Sequence, residues 1–252
     1  MLSLDRQKRI LDLMKKRKSA LVSDLSDQLG ISLSTVRRDL SELEERGIVQ
    51  RVHGGAVLLE ESDEAPVTLR ADLHREQKQR IGAQAGELVN DGDTIILTAG
   101  STVEAMLPHL IDKRNLTIIT NVINLAYRLS AYPHITVIVL GGWLRHSEFS
   151  LLGHITQQSL KDLHANKIFH GTYGLDSSYA LTGVYVQEVE TDRFLINAAA
   201  QLIVLADSSK FNHAGAIRLV PSDNIHTLIT DTDAPANAVA DLQSVGIQVL
   251  LA

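Results

Sequence analysis

The chain of 252 residues contains no cysteine, which excludes disulfides and thiolate zinc sites together. Its ten histidines are scattered without the spacing of metal ligands. His109, His134, His164 and His226 read as surface or loop residues, so neither a metal nor a cofactor is expected. No apolar run approaches the ~18 residues needed to cross a bilayer, and no charged-then-apolar leader ends in a small-residue cleavage site. The expectation is a soluble, cytoplasmic protein with no membrane partner. No internal repeat or low-complexity tract breaks the chain, which is long enough for one small module and one α/β domain of ordinary size.

Positive charge is short overall, with a formal net charge of −6, but the deficit is uneven. Residues 1–53 hold 11 Lys and Arg against 8 Asp and Glu, whereas the remainder holds 13 against 22. Only the N-terminal part suits a polyanion. Its surplus is modest, so non-specific affinity for DNA is expected to fall steeply with salt.

That part carries the most informative stretch, SLSTVRRD from Ser32 to Asp39. Ile10, Leu11 and Met14 share one side of a first helical segment, and Val22, Leu25 and Leu29 recur at spacings of three and four in a second. Gly30 supplies a helix stop, and Ser32 or Ser34 can cap the next helix. In that third helix Val36, Leu40 and Leu43 fall on the inner face, leaving Ser34, Thr35, Arg37, Arg38 and Ser41 on the outer one. This is a helix-turn-helix pattern whose outer side chains can reach phosphates and base edges. Arginine suits the position because its planar fork bridges two guanine acceptors. The competing reading is a solvated face on a three-helix bundle.

Ile48, Val49, Val52 and Val57 then flank Arg51, His53, Gly54 and Gly55, as in a short β-hairpin, completing a winged helix-turn-helix. Candidate DNA contacts are Ser32, Ser34, Thr35, Arg37, Arg38, Ser41, Arg51 and His53. The cluster Lys15, Lys16, Arg17, Lys18 reads equally as further phosphate contacts or as favourable charge at a helix C-terminus. The acidic stretch Leu59 to Pro66 reads as a linker. A helix is expected from about Thr68 to Val89, with Ile81, Ala85 and Leu88 buried. The expected division is residues 1–58 for the DNA-binding domain, 59–74 for the connection and 75–252 for an α/β domain.

From residue 93 onward, β-rich runs alternate with helical segments: Thr94 to Leu97, Leu116 to Thr120, Thr136 to Leu140, Lys167 to Phe169, Leu202 to Leu205 and Thr227 to Ile229. The alternation predicts a doubly wound, mostly parallel sheet covered by helices, whose ligands bind beyond the carboxyl ends of the strands. After the first strand, Ala99, Gly100, Ser101 and Thr102 form a tight turn into a helix, where free amides and two hydroxyls can cradle a phosphate. Glycine and hydroxyl residues also make ordinary turns. Thr120 with Asn121, Gly141 and Gly142 with Arg145, and Asp207 with Lys210 supply three more polar strand ends on the same edge.

The chain resembles the DeoR family of bacterial sugar-catabolism regulators. RQKRIL at Arg6, STVRRDL at Ser34 and HGGA at His53 carry the resemblance in the N-terminal part. AGST, TNVINLA at Thr120, GGWLR at Gly141, Gly153, GTYGLD at Gly171 and ADSSKF at Ala206 carry it through the rest. The resemblance implies Arg37 and Arg38 as leading DNA contacts, and an effector domain similar in fold to ribose-phosphate isomerase and glucosamine-phosphate deaminase. It implies a phosphorylated sugar as effector, with Gly100, Ser101 and Thr102 on the phosphate, Asn121, Gly142 and Arg145 lining the pocket, and Lys210 and Lys78 reaching the same edge. Thr98 and Glu188 complete the candidate effector set.

Two positions depart from the family pattern. Thr98 stands where many members carry aspartate, and Asp192 stands where they usually carry lysine, beside Glu188 and Glu190. A carboxylate-rich wall would favour sugar hydroxyls or an amine over a second anionic group; alternatively, Asp192 faces solvent on a helix from about Glu188 to Ala199. An isomerase-like enzyme could draw a base and an acid from Glu188, Glu190, Asp176 and His170, but no catalytic spacing is recognisable and fold similarity does not establish catalysis. A DNA-binding protein that senses nothing would leave three quarters of the chain without a role. The sequence therefore points to a ligand-controlled repressor of a carbohydrate-catabolism operon, a homodimer or homotetramer, without catalysis.

Overall fold

The computed structural model describes residues 3–17, 19–45, 48–52, 54–58 and 66–252. The chain divides into two compact units, Met1–Leu69 and Arg70–Ala252. The side chains of the Lys15 to Lys18 cluster, His53 and linker residues 59–65 fall outside the described residues.

The first unit comprises α1 (Ser3–Arg17), β1 (Ser19–Leu21), α2 (Val22–Leu29), α3 (Leu33–Glu45), β2 (Val49–Val52) and β3 (Gly55–Leu58); α4 (Val67–Arg70) spans the division. Ile10, Met14, Leu25, Val36, Leu40 and Leu43 are buried in its core, each contributing ~1.5–3 kcal/mol through removal of apolar surface from water. Gly30 adopts φ +64° and donates its N–H to the Ser26 carbonyl, the left-handed stop that turns α2 into α3. The wing has three strands in the order β1-β3-β2. The sequence reading named two of them and missed β1, which is too short to show an alternating pattern. Gly55 lies so close to β1 that a Cβ there would meet the Ala20 carbonyl oxygen at 2.3 Å.

The second unit runs α5 (Arg75–Glu87), β4 (Thr94–Leu97), α6 (Ser101–Glu104), β5 (Thr117–Thr120), α7 (Ile123–Leu129), β6 (Thr136–Val139), β7 (Trp143–Arg145) and β8 (Ser150–Leu152). It continues through α8 (His154–Ser159), β9 (Ala165–Gly171), β10 (Gly174–Leu175), β11 (Leu181–Gly183), α9 (Val186–Asn197), β12 (Ala199–Leu205), β13 (Ile217–Val220), β14 (Thr227–Thr230), α10 (Ala236–Ser244) and β15 (Gln248–Leu251). Seven strands form one sheet in the order β15-β14-β12-β9-β4-β5-β6, and every pairing in it is parallel.

Side chains alternate across this sheet. Ile96, Ile119, Ile168, Val204 and Leu228 pack with Leu195 of α9 and Leu242 of α10. Ile95, Leu97, Ile118, Phe169 and Ile203 pack with Ile81 of α5 and Leu125 of α7. Helices therefore cover both faces, as the unbroken apolar strands TIIL and TIIT require. The strand order reverses between β4 and β9: β4 leads to β5 and β6 on one side, and β9 leads to β12 on the other. A crevice beyond the carboxyl ends at such a switch point is where ligands of this architecture sit.

Three helices differ from the sequence expectation. The single helix from Thr68 to Val89 is two, α4 and α5, because His74 takes a left-handed conformation at φ 54°; Leu88 is half-buried. The helix after AGST spans four residues only, so its dipole is small and the turn amides must do most of any anion binding. The helix expected from Glu188 to Ala199 runs from Val186 to Asn197. No helix among the described residues is long and apolar enough to cross a membrane.

Candidate functional site

In the first unit, the start of α3 is organised by hydroxyls. Ser32 Oγ accepts from the Thr35 amide at 3.2 Å, making Ser32 the cap, and lies 2.9 Å from Ser34 Oγ and 2.8 Å from Thr35 Oγ1. Ser34, Arg37 and Arg38 are exposed on the outer face, and Thr35 is half-buried. One turn later Ser41 Oγ donates to the Arg37 carbonyl at 3.0 Å and accepts from Arg51 Nη1 at 3.0 Å. The Arg51 amide donates to Glu44 Oε1 at 2.8 Å. The wing arginine is thus tied to the helix that carries Arg37 and Arg38.

Sequence reading missed what holds that helix in place. Asp39 is completely buried, and its carboxylate accepts from both Nε and Nη2 of Arg6 on α1. Gln7 Nε2 donates to Glu42 Oε2 at 2.5 Å. The signal was present: Asp39 falls three residues after Val36 and four before Leu43, on the apolar face, where an acid requires a cationic partner.

In the second unit, the candidate effector residues lie around the switch point. Gly100 adopts φ +136°, open to glycine and costly for other residues, and packs close to Gly171 at the end of β9. Thr98, Ser101 and Thr102 are buried beside it. Thr120 Oγ1 donates to the Leu97 carbonyl at 2.8 Å, joining the ends of β5 and β4. Asn121 Nδ2 donates to the Leu151 carbonyl at 3.0 Å. Gly142 admits the β8 backbone, since a Cβ there would meet Leu152 O at 2.6 Å. Arg145 is buried, forms an ion pair with Glu188 and lies 4.8 Å over the Tyr185 ring.

Lys78 is also buried. Burial pushes its ammonium down to about 8, opposed by the nearby Asp207 carboxylate; Arg70 and Lys210 lie within electrostatic reach. Asp207 caps the short turn bearing Lys210 by accepting from the Ser209 amide at 3.1 Å. The structure thus brings Lys78, Asp207 and Lys210 together, and separately pairs Arg145 with Glu188.

Orphaned polar atoms gather at the same edge. Asn121 Oδ1, Asn124 Oδ1, Ser147 Oγ, Ser150 Oγ, Thr230 Oγ1 and both ring nitrogens of His170 are buried without a hydrogen-bond partner. All lie at carboxyl strand ends, in the first turn of α7 or on the β7–β8 hairpin. Each such atom costs ~1–3 kcal/mol, and a concentration of them at one end of a sheet marks polar machinery kept for something other than stability.

Two groupings escaped the sequence reading. Arg70 Nη2 donates to Glu148 Oε1 at 2.5 Å, while Lys78 Nζ donates to the Arg70 carbonyl at 2.5 Å. His170 Nε2 lies 3.2 Å from Asp192 Oδ2, with side-chain exposures of 4% and 14%. Asp192 therefore does not face solvent: it lies against His170, while Glu188 on the same helix is paired with Arg145. Of the four groups considered for acid–base chemistry, Glu188 is paired with Arg145 and His170 lies beside Asp192. Glu190 is exposed on α9, and Asp176 is held down at about 2, first by the Ser178 hydroxyl and further by backbone amides and Arg218.

Comparison with known proteins now bears on these two surfaces. Residues 6–62 match the DeoR-like helix-turn-helix domain and residues 73–232 match the DeoR C-terminal sensor domain. The chain belongs to the DeoR family of DNA-binding transcriptional regulators. It is 34% identical to the HTH-type transcriptional regulator GolR of Listeria innocua, across 100% of both chains. It is 29% identical to the glycerol-3-phosphate regulon repressor of Escherichia coli, across 96% of each. Among solved structures, ribose 5-phosphate isomerase A of Methanocaldococcus jannaschii overlaps 55% of each chain at 17% identity with a TM-score of 0.41, too loosely to bear on function. In this DeoR-family chain, α2, α3 and the wing strands fall within the first match and the carboxyl ends of β4 and β9 within the second.

Proposed function

We propose that this protein represses a carbohydrate-catabolism operon and leaves its operator when a phosphorylated sugar occupies the carboxyl edge of the seven-stranded sheet. What supports this reading is the grouping of Lys78 with Asp207 and Lys210, in the unit whose Gly100 turn follows β4 at the strand-order switch. Two ammonium groups and a glycine turn at a helix start suit an anion. The names of relatives agree, since one is a glycerol-3-phosphate regulon repressor and another a putative aga operon repressor.

On this reading Gly100, Ser101 and Thr102 hold the phosphate with Lys78 and Lys210. Thr98, Asn121, Gly142, Arg145 and Glu188 border the sugar. On the DNA side, Arg37 and Arg38 read bases, Ser32, Ser34, Thr35 and Ser41 fix register, and Arg51 with His53 adds the wing. The connection covers residues 59–74, between domains of 1–58 and 75–252. The repressor works in the cytoplasm as a homodimer or homotetramer, whose symmetry matches paired half-sites, and performs no catalysis.

Calorimetry with hexose 6-phosphates, pentose 5-phosphates, glycerol 3-phosphate and their unphosphorylated parents tests the sensor half. One phosphorylated compound should bind, its parent should not, and Ser101→Asp should abolish binding by occupancy and repulsion while leaving DNA binding intact. Equal binding of phosphate and parent would refute the reading.

A further inference from the structure

Arg70 is the first residue of the second unit and is gripped from two directions. Its carbonyl accepts from Lys78 Nζ of α5 at 2.5 Å. Its guanidinium donates to both oxygens of Glu148, a residue 3% exposed in the turn between β7 and β8. Both holders belong to the carboxyl edge: Lys78 lies within electrostatic reach of Asp207 and Lys210, and Glu148 lies between Arg145 and the buried Ser150 on the β7–β8 hairpin.

The preceding residue, Leu69, belongs to the apolar core of the DNA-binding unit. The two are consecutive in α4, a helix of only four residues. Lys78 therefore supplies a cationic cap to the last carbonyl of the one element that spans the division.

We propose that Arg70, clasped by Lys78 and Glu148, is the latch through which occupancy of the sensor edge reaches the DNA-binding unit. The inference rests on the effector reading above and adds its route of action. A phosphate carries one to two negative charges and attracts an ammonium more strongly than a neutral carbonyl does. A phosphate at the Gly100 turn draws Lys78 away from the Arg70 carbonyl. The four-residue helix loses its cap, and the carbonyl side of the clasp is released. Movement of Arg70 passes through one peptide bond to Leu69.

The clasp and the phosphate compete for Lys78, so linkage fixes the signs: removing the Arg70–Glu148 pair leaves the Arg70 carbonyl in place but frees the backbone that presents it to Lys78, which mimics the effector and eases its binding. Full-length Arg70→Ala and the isosteric Glu148→Gln are each measured twice, by anisotropy on DNA from the protein's own upstream region and by calorimetry with the sugar-phosphate panel above. Without effector, both variants should bind DNA ~10-fold more weakly, near the level of phosphate-loaded wild type. Phosphate affinity should rise ~3–10-fold, and phosphate should then change DNA binding less than about twofold.

Affinities for DNA and phosphate that fall together would show a damaged fold and overturn the latch. Wild-type behaviour in both variants would overturn it as well. If no panel phosphate binds the wild type, the effector reading fails and takes the latch with it; binding with unaltered coupling in the variants defeats the latch alone.

Discussion

The recognition helix and the sheet edge both gather cations, in opposite ways. Arg37 and Arg38 stand exposed on α3, anchored indirectly by the buried Arg6–Asp39 pair beneath them. At the sheet edge, Lys78 and Arg145 are themselves buried and already engaged by a carbonyl and a carboxylate. A duplex presents phosphates on its outside, so exposed arginines can meet it with little desolvation. A small ligand must enter among buried groups and take over existing interactions. That exchange gives a site differential affinity for two states, without which a ligand shifts nothing.

The comparison breaks most severely at its foundation. Asp39→Ala would leave the Arg6 guanidinium without its partner inside the first unit and should cost ~3–5 kcal/mol of stability. Chemical denaturation monitored on that unit measures the loss, and a change below about 1 kcal/mol would mean that the pair does not anchor α3. Arg37→Ala acts outside the core: operator affinity should fall ~10–100-fold, the equivalent of ~1–3 kcal/mol, with sugar-phosphate affinity unchanged.

At the sheet edge, pH separates the two regions. Lys78 must be charged to hold a phosphate, and burial brings its ammonium down to about 8. Effector affinity should therefore be full near pH 7 and fall by ~3–10-fold as pH rises from 7.5 to 9, while the exposed arginines keep their charge throughout that range. The smallest effect is expected for Arg51→Lys. It keeps the charge but loses the planar fork that meets Ser41, and operator affinity should drop by no more than about threefold.

Much of the architecture was legible because it is periodic. TIIL at Thr94 and TIIT at Thr117 announce buried parallel strands, and Val36, Leu40 and Leu43 announce the inner face of α3. Gly30 marked the turn because only its backbone is comfortable at φ +64°. The break at His74 was not legible, since ADLH contains neither glycine nor proline and the left-handed residue is a histidine. Nor were the pairings that organise the sensor edge. Arg70 meets Glu148 across 78 positions, and His170 meets Asp192 from a different element. Such contacts follow from topology, and no spacing rule encodes them. Asp192 shows the cost: read alone it adds negative charge to a wall or faces solvent, whereas in place it lies against His170.

The central claim is that one protein carries two separate anion surfaces, linked in energy. Its most direct test is fluorescence anisotropy of the full-length protein on its own upstream DNA, titrated with sugar phosphates and their unphosphorylated parents. The account predicts that one phosphorylated compound weakens DNA binding at least ~10-fold, a coupling of ~1.4 kcal/mol, and that its parent sugar does nothing. Superimposable binding curves with every compound would contradict it.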